Sequence, residues 1–172
     1  MKMDIGKFLQ TVPTFSDFTR EQLGILEHAL CVDQFPADHV LLRQGQKGHT
    51  LYILMEGEIE VSRTHKSGRG VDNLGVVKAG EVFGLQSLID HHPRYSSCRT
   101  ITPVTTASLP ESAFTLLYNS HISLAEHFQY IVAQHLVREL RRLDEAVVHS
   151  IRQGDIQPLV DAATNGDRLK TV

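Results

Sequence analysis

Hydrophobic and polar positions change their period twice along the chain, from helical to alternating and back to helical. Near the start, the apolar residues from Ile5 to Leu9 share one helical face until Pro13 interrupts the pattern. A second helix is predicted from Thr19, a favourable N-cap residue, to about Cys31. The chain therefore opens with a helical segment.

Short alternating runs replace the helical period after that point. Strands are predicted at residues 31–35, 40–42, 50–55, 59–62, 71–77, 82–83, 98–101 and 105–109. The tight turn Glu56-Gly57-Glu58 predicts that the third and fourth runs form a hairpin. The polar segment from Arg63 to Gly70 is predicted to be a surface loop. Many short strands separated by glycine turns indicate a β-sandwich or jelly roll.

The helical period returns after Pro110, first in a short helix and then in a long one. From His121 the apolar residues recur every three or four positions as far as Ile151. This stripe is longer than a small barrel needs, so its first half is expected to cover the barrel and its second half to pair with a copy of itself. Gly154 ends the long helix, and a further short helix is predicted at residues 156–163.

Composition places the chain among ordinary globular proteins. Of its 172 residues 41% are apolar and 22% charged, and the net charge is -3 without a long basic run, which argues against a dedicated nucleic-acid surface. The two cysteines, Cys31 and Cys98, lie far apart and are predicted to be buried free thiols in a reducing compartment. No apolar run approaches the roughly 18 residues of a membrane span, and a cytoplasmic location is expected.

Catalytic and metal-binding patterns do not emerge from the ten histidines and two cysteines. His91 and His92 are adjacent, which does not suit a strand-borne metal site, and His127 and His135 are two helical turns apart, unlike an HExxH pair. Two distant cysteines do not provide an iron–sulfur ligand set. We predict no catalytic residues, no metal and no enzymatic activity.

One stretch has the pattern of an anion site. Gly84 follows a short apolar strand and opens a short helical run, so backbone N–H groups are left without helical partners. Arg94 follows ten residues later, and a guanidinium is suited to phosphate. The alternative is that Arg94 forms a surface ion pair.

The order of these features resembles the cyclic-nucleotide-binding domain of catabolite activators, kinase regulatory subunits and nucleotide-gated channels. The resemblance covers roughly residues 8 to 145 and includes the strand pair Gly45 to Val61, the turn Gly80-Glu81-Val82-Phe83-Gly84, and Leu109-Pro110 followed by Phe114. It implies a mainly β fold with α elements, an eight-stranded antiparallel jelly-roll β-barrel flanked by N-terminal helices and a long C-terminal helix.

The resemblance also implies four segments. These are an N-terminal helical segment (1–30), a β jelly roll (31–110) that contains a phosphate-binding cassette (80–97), C-terminal helices (111–153) and a tail (154–172).

In the family, the cassette binds the cyclic phosphate and the ribose. The positions that this implies for ligand binding are Phe83, Gly84, Leu85, Gln86, Ser87, Arg94, Tyr95 and Ser96. Arg94 aligns with the arginine that binds the phosphate. Leu85 stands where the family has a glutamate that accepts a hydrogen bond from the ribose 2′-hydroxyl, and Tyr95 stands where it has a small residue.

The resemblance leads to two functional hypotheses. The first is a non-catalytic regulatory sensor for cyclic AMP, cyclic GMP or a related phosphate-bearing ligand, which moves the long helix and acts on an effector protein. The second is a ligand-free domain that serves as a dimerisation or interaction scaffold. A homodimer through the long helix is expected, and no DNA-binding domain, since only about twenty residues follow Ile151.

Overall fold

A computed structural model describes residues 4–65 and 70–153. The helices are α1 (Ile5–Thr11), α2 (Arg20–Ala29), α3 (Gln86–Asp90), α4 (Glu111–Ser120) and α5 (Ile122–Gln153), with a 3₁₀ turn at Pro13–Phe15. The strands are β1 (Cys31–Phe35), β2 (Val40–Leu42), β3 (Thr50–Glu56), β4 (Glu58–Thr64), β5 (Val71–Lys78), β6 (Val82–Phe83), β7 (Ser97–Thr100) and β8 (Val104–Pro110). The helix predicted at 156–163 lies outside the described residues, as do residues 66–69 of the loop predicted from Arg63 to Gly70. The loop prediction was wrong for Arg63 and Thr64, which continue β4 by pairing with β5.

The strands form two four-stranded sheets. Their orders are β1-β8-β3-β6 and β2-β7-β4-β5, and every pairing is antiparallel. The mainly β jelly roll of eight antiparallel strands, with helices beside it, is thereby confirmed.

The predicted hairpin between the third and fourth runs was wrong. Strand β3 pairs with β6 and β8, whereas β4 pairs with β5 and β7 in the other sheet. Gly57, with a φ of 92°, makes the turn between β3 and β4, and a Cβ there would lie 2.5 Å from the carbonyl oxygen of Pro103. A tight turn fixes the reversal of the chain but not the strand that pairs with it, and this turn carries the chain from one sheet to the other.

Helix α2 begins where the sequence predicts, at a capping box. The Thr19 Oγ1 accepts a hydrogen bond from the Gln22 N–H at 3.2 Å, and the Gln22 side chain accepts one from the Thr19 N–H at 2.8 Å. Two N–H groups that the helix cannot pair are thus satisfied locally. The helix ends at Ala29, slightly before the predicted end, because Cys31 already begins β1.

Strand β3 is buried on both faces. On one face Leu54 belongs to a core cluster between the sheets, whose members are Leu42, Leu54, Ile59, Phe83, Cys98 and Val104. Ile53 points to the opposite face, since strand side chains alternate, and it is also fully buried. This double burial explains why the run from 51 to 55 is apolar instead of alternating.

Aromatic contacts hold the helices together. The Phe18 ring lies 5.3 Å from Phe15 and 6.2 Å from Phe128, and Phe128 lies 5.1 Å from Phe114. The segment between α1 and α2, helix α4 and the first turns of α5 therefore share one apolar cluster, which adds edge-to-face contacts to simple burial.

Helix α5 passes through both of the compact units into which the chain divides, Met1–Phe128 and Gln129–Val172. Its first turns belong to the unit that contains the barrel, and the rest belongs to the second unit. Among the described helices, none is long and apolar enough to cross a membrane.

The two cysteines have different environments, although both are free. Cys98 is buried in the core cluster, and this burial raises the pKa of its thiol to about 12. Cys31 is exposed at the start of β1, the edge strand of its sheet. The predicted burial was therefore wrong for Cys31, because an edge strand leaves one side of the backbone and its end uncovered.

We expect a thiol reagent at pH 8 to modify Cys31 rapidly and Cys98 at least ~100-fold more slowly, since the thiolate is the reactive form. The raised pKa also means that Cys98 favours folding below its ordinary pKa of 9.0 and loses this contribution as the pH rises towards about 12. Mass spectrometry of the Cys31→Ser variant, native and in urea, isolates Cys98. Rapid labelling of native Cys31→Ser would contradict the burial of Cys98.

Candidate functional site

The predicted anion site is built on the connection from β6 to β7. Gly84 follows β6 with a φ of 74°, a conformation that favours glycine, and α3 begins two residues later. The end of α3 is formed by His91, also left-handed with a φ of 56°. Arg94 follows three residues further on and returns to the start of the same connection.

The Arg94 side chain is buried, with 7% of the residue exposed. Its Nη1 donates a hydrogen bond to the carbonyl oxygen of Gly84 at 2.5 Å, and its Nη2 donates one to the carbonyl oxygen of Thr50 at 2.7 Å. The guanidinium therefore links the glycine turn before α3 to the first residue of β3. The alternative that Arg94 forms a surface ion pair is not what this geometry shows.

The backbone of Arg94 is fixed by the loop between β2 and β3. Its carbonyl oxygen accepts a hydrogen bond from the Gly45 N–H at 2.8 Å, and its N–H donates one to the Gln46 carbonyl at 2.7 Å. Position and direction of the side chain are thus both set by backbone groups, which do not depend on flexible side chains.

Gly48, in the same loop, lies directly against the guanidinium. A Cβ on Gly48 would lie 2.0 Å from the Arg94 Nε and 2.6 Å from the Ser87 Oγ, distances that no packed side chain can adopt. The Ser87 hydroxyl is buried and has no hydrogen-bond partner among the described residues. Gly48, Thr50, Gly84, Ser87 and Arg94 are called the Arg94 site below.

The charge of the Arg94 site has no acidic partner in the described part of the chain. Within residues 4–65 and 70–153, no carboxylate forms an ion pair with Arg94. Burial lowers the pKa of the Arg94 guanidinium from its ordinary value, although an arginine remains protonated in proteins. A buried cation compensated only by carbonyl dipoles, beside an unpaired hydroxyl, is an environment in which an anion is stabilised.

The residues after Gly84 divide between buried and exposed. Leu85 is buried and offers only apolar surface, whereas Gln86 is exposed and begins α3. Gln86 therefore does not supply the hydrogen-bond acceptor that Leu85 lacks.

Phe83 is a core residue in this structure. It belongs to the cluster between the sheets, and its ring stacks on Tyr52 with 5.3 Å between the ring centres. It positions the glycine turn by anchoring the end of β6, and a direct contact to a ligand stays a prediction.

Tyr95 lies outside the Arg94 site. It is 56% exposed, and the Arg63 guanidinium lies over its ring at 4.8 Å from the ring centre. Arg63 also donates to Asp72 at 3.3 Å. The ring therefore does not fill the interior next to Arg94. Ser96 is half-buried and immediately precedes β7.

Two features of the site could not be recognised from the sequence. The sequence does not show that Gly48 packs on an arginine, and it does not show which backbone carbonyl, here that of Thr50, accepts a hydrogen bond. The pair of glycines in Gln44-Gly45-Gln46-Lys47-Gly48 is the one available signal, because glycine is common where a backbone closely approaches another group. Among the described residues, no group of three His, Cys, Asp or Glu side chains could hold a metal ion.

The family model of the cyclic nucleotide-binding domain matches residues 32–121, more than half of the chain. The chain is 28% identical over 113 residues to a CRP-like cAMP-activated global transcriptional regulator of Mycobacterium tuberculosis, covering 66% of this chain and 50% of that protein. It is 29% identical over 128 residues to the regulatory subunit of a cAMP-dependent protein kinase of Neurospora crassa, covering 74% of this chain and 32% of the subunit. The chain thus spans half or less of the length of these relatives.

A solved structure of a cyclic nucleotide-binding domain from Methylobacillus flagellatus superposes with a TM-score of 0.75 at 25% identity, covering 85% of this chain and 82% of that one. The similarity therefore includes the helices as well as the barrel. With a matching family model and a shared fold, the chain belongs to the cyclic nucleotide-binding domain family.

Proposed function

We propose that this chain is a non-catalytic regulatory sensor that binds a cyclic nucleotide or a related phosphate-bearing ligand at the Arg94 site. The observation that carries this proposal is the buried guanidinium of Arg94, which has no carboxylate partner in the described part of the chain. The names of the relatives, a cAMP-activated regulator and a cAMP-dependent kinase subunit, support the choice of nucleotide.

The guanidinium has donors to spare for a ligand. Of the five N–H groups of an arginine, two are used by the carbonyls of Gly84 and Thr50. The others, together with the unpaired hydroxyl of Ser87, match the oxygens of a phosphodiester. Each charge-assisted contact of this kind contributes about 1.5–3 kcal/mol.

The ligand-free scaffold remains the second candidate, and two observations favour it. Leu85 is buried and apolar where a sugar hydroxyl needs an acceptor, and Arg94 is largely covered in the present conformation. The two candidates differ in whether an anion binds at all.

We expect calorimetric titration with cyclic AMP, cyclic GMP and a cyclic dinucleotide to give heat with at least one of them at micromolar to millimolar concentrations. Arg94→Ala should weaken that binding roughly 10–150-fold, the equivalent of one charge-assisted contact. Gly48→Ala should weaken it as well while Arg94 is retained, because the new Cβ displaces the guanidinium.

The matched control is Arg99→Ala, which removes an exposed arginine of β7 that pairs with Asp38 at 3.1 Å. It should bind like the wild type. Absence of heat with all three nucleotides would refute the sensor and leave the scaffold.

We expect Leu85→Glu to bind cyclic AMP about ten-fold more tightly than the wild type, since the carboxylate supplies an acceptor for the ribose 2′-hydroxyl. Titration with 2′-deoxy cyclic AMP should show no such gain. Leu85→Met is the apolar control. If folded Leu85→Glu gains nothing over Leu85→Met with cyclic AMP, the sugar does not lie beside position 85.

We also propose that α5 transmits ligand binding to an effector protein, and that the part of α5 after Phe128 pairs with the same part of a second copy of the chain. Large apolar residues spaced by four or seven positions are exposed there, with Leu140 67% exposed; the set comprises Leu136, Leu140, Val147 and Ile151. Spacing of this kind is typical of a coiled-coil seam. At the other end of α5, Phe128 contacts Phe18 and Phe114, so a ligand-induced shift in that cluster would be passed into the helix.

We expect Leu140→Glu to convert a dimer into a monomer, because it places a charge in the apolar seam. Light scattering coupled to size-exclusion chromatography at tens of micromolar measures the mass. Arg141→Glu, an exposed charge change on the neighbouring position, should leave the dimer intact. A wild type that is monomeric under these conditions would rule out the seam.

A further inference from the structure

A single carboxylate joins two histidines beside the Arg94 site. Glu111, the first residue of α4, has its Oε2 2.5 Å from the His49 Nδ1 and its Oε1 3.4 Å from the His91 Nδ1. The backbone N–H of Glu111 also donates a hydrogen bond to the carbonyl oxygen of His49 at 2.7 Å. Three elements far apart in the sequence thus meet at one side chain, through a hydrogen bond with His49 and through a contact with His91 that becomes an ion pair when His91 is protonated.

Each of the two histidines belongs to a segment that forms the Arg94 site. His49 lies between Gly48, which packs on the guanidinium, and Thr50, whose carbonyl accepts a hydrogen bond from it. His91 is the C-cap residue of α3, the helix that carries the buried Ser87. Glu111 therefore connects the two segments between which Arg94 lies.

We propose that Glu111 is a positioning residue of the Arg94 site, which holds His49 and His91 so that the loop before β3 and helix α3 keep the spacing that an anion requires. This inference rests on the proposed function. Because Glu111 begins α4, it also ties the spacing of the site to the helices that follow the barrel.

The chemistry suits this role better than it suits a ligand contact. The oxygens of Glu111 are directed to the imidazoles, and a carboxylate would repel a phosphate placed next to it. His49 and His91 are mostly exposed, so their value to the fold alone is small. What they fix is the relative position of two backbone segments, on which the directions of Arg94 and Ser87 depend.

The test uses the full chain and measures affinity by calorimetry, with cyclic AMP, cyclic GMP, a cyclic dinucleotide and inorganic phosphate as probes. We expect Glu111→Gln to weaken the binding of whichever probe the wild type binds by about ten-fold, with an unchanged thermal midpoint in the absence of probe. His91→Asn, which suits the left-handed backbone there, should weaken it too. The double variant should lose less than the product of the two single losses, because both act through one contact.

Asp38→Asn is the control, since it removes an exposed carboxylate paired with Arg99 and keeps a residue that tolerates its φ of 66°. If the wild type binds a probe and both Glu111→Gln and His91→Asn bind it equally well, the inference is wrong and the proposed function stands. Losses that simply multiply, in step with a lower thermal midpoint, would also overturn it. A wild type that binds none of these probes, or an Arg94→Ala variant that binds as well as the wild type, overturns the proposed function and this inference with it.

Discussion

The guanidinium of Arg94, held between the carbonyl oxygens of Gly84 and Thr50, sets the requirements for the whole region around it. A planar fork can reach two carbonyls only if the backbones carrying them come close. Gly84 permits this by its positive φ, and Gly48 permits it by having no side chain where the Nε lies. The buried cation therefore requires glycine at both positions 48 and 84.

Burial of this cation also has an electrostatic cost. Carbonyl dipoles satisfy hydrogen bonds but carry no net charge, so burial still disfavours the charged form and lowers the pKa of Arg94. A carboxylate partner would remove that penalty permanently and would also compete with any anionic ligand. Arg94 has no such partner in the described part of the chain, so the proposed anionic ligand would relieve this penalty.

Sequence patterns predicted those parts of the molecule that are determined by near neighbours. The capping box of Thr19 and Gln22 spans four residues, and the strand at β3 follows from its apolar run. The predicted pairing of β3 with β4 was wrong, because the sheet to which a strand belongs depends on strands that lie far along the chain. The predicted burial of Cys31 was wrong for a related reason, since only the strand order shows that β1 lies at an edge.

The candidate site shows the same division. Its position after Gly84 and the participation of Arg94 could be predicted, because both lie within one short stretch. The contact of Glu111 with His49 joins residues 62 positions apart, and no sequence pattern predicts it. The partner of Arg94 at Thr50 is a backbone carbonyl, which every residue has, so only the fold could identify it.

Leu85 decides how the site can distinguish one ligand from another. Its buried apolar side chain offers no hydrogen bond to a hydroxyl, so a sugar gains only van der Waals contact there. Discrimination by loss of a hydrogen bond needs a polar group that would be left unpaired with the wrong ligand. In this site the polar groups available for that purpose are the Arg94 guanidinium and the Ser87 hydroxyl, which has no hydrogen-bond partner among the described residues. If the proposed ligand binds here, these two groups can distinguish ligands only by the geometry and charge of the phosphate, and the proposed role of Glu111 is to keep the segments that carry them at the required spacing.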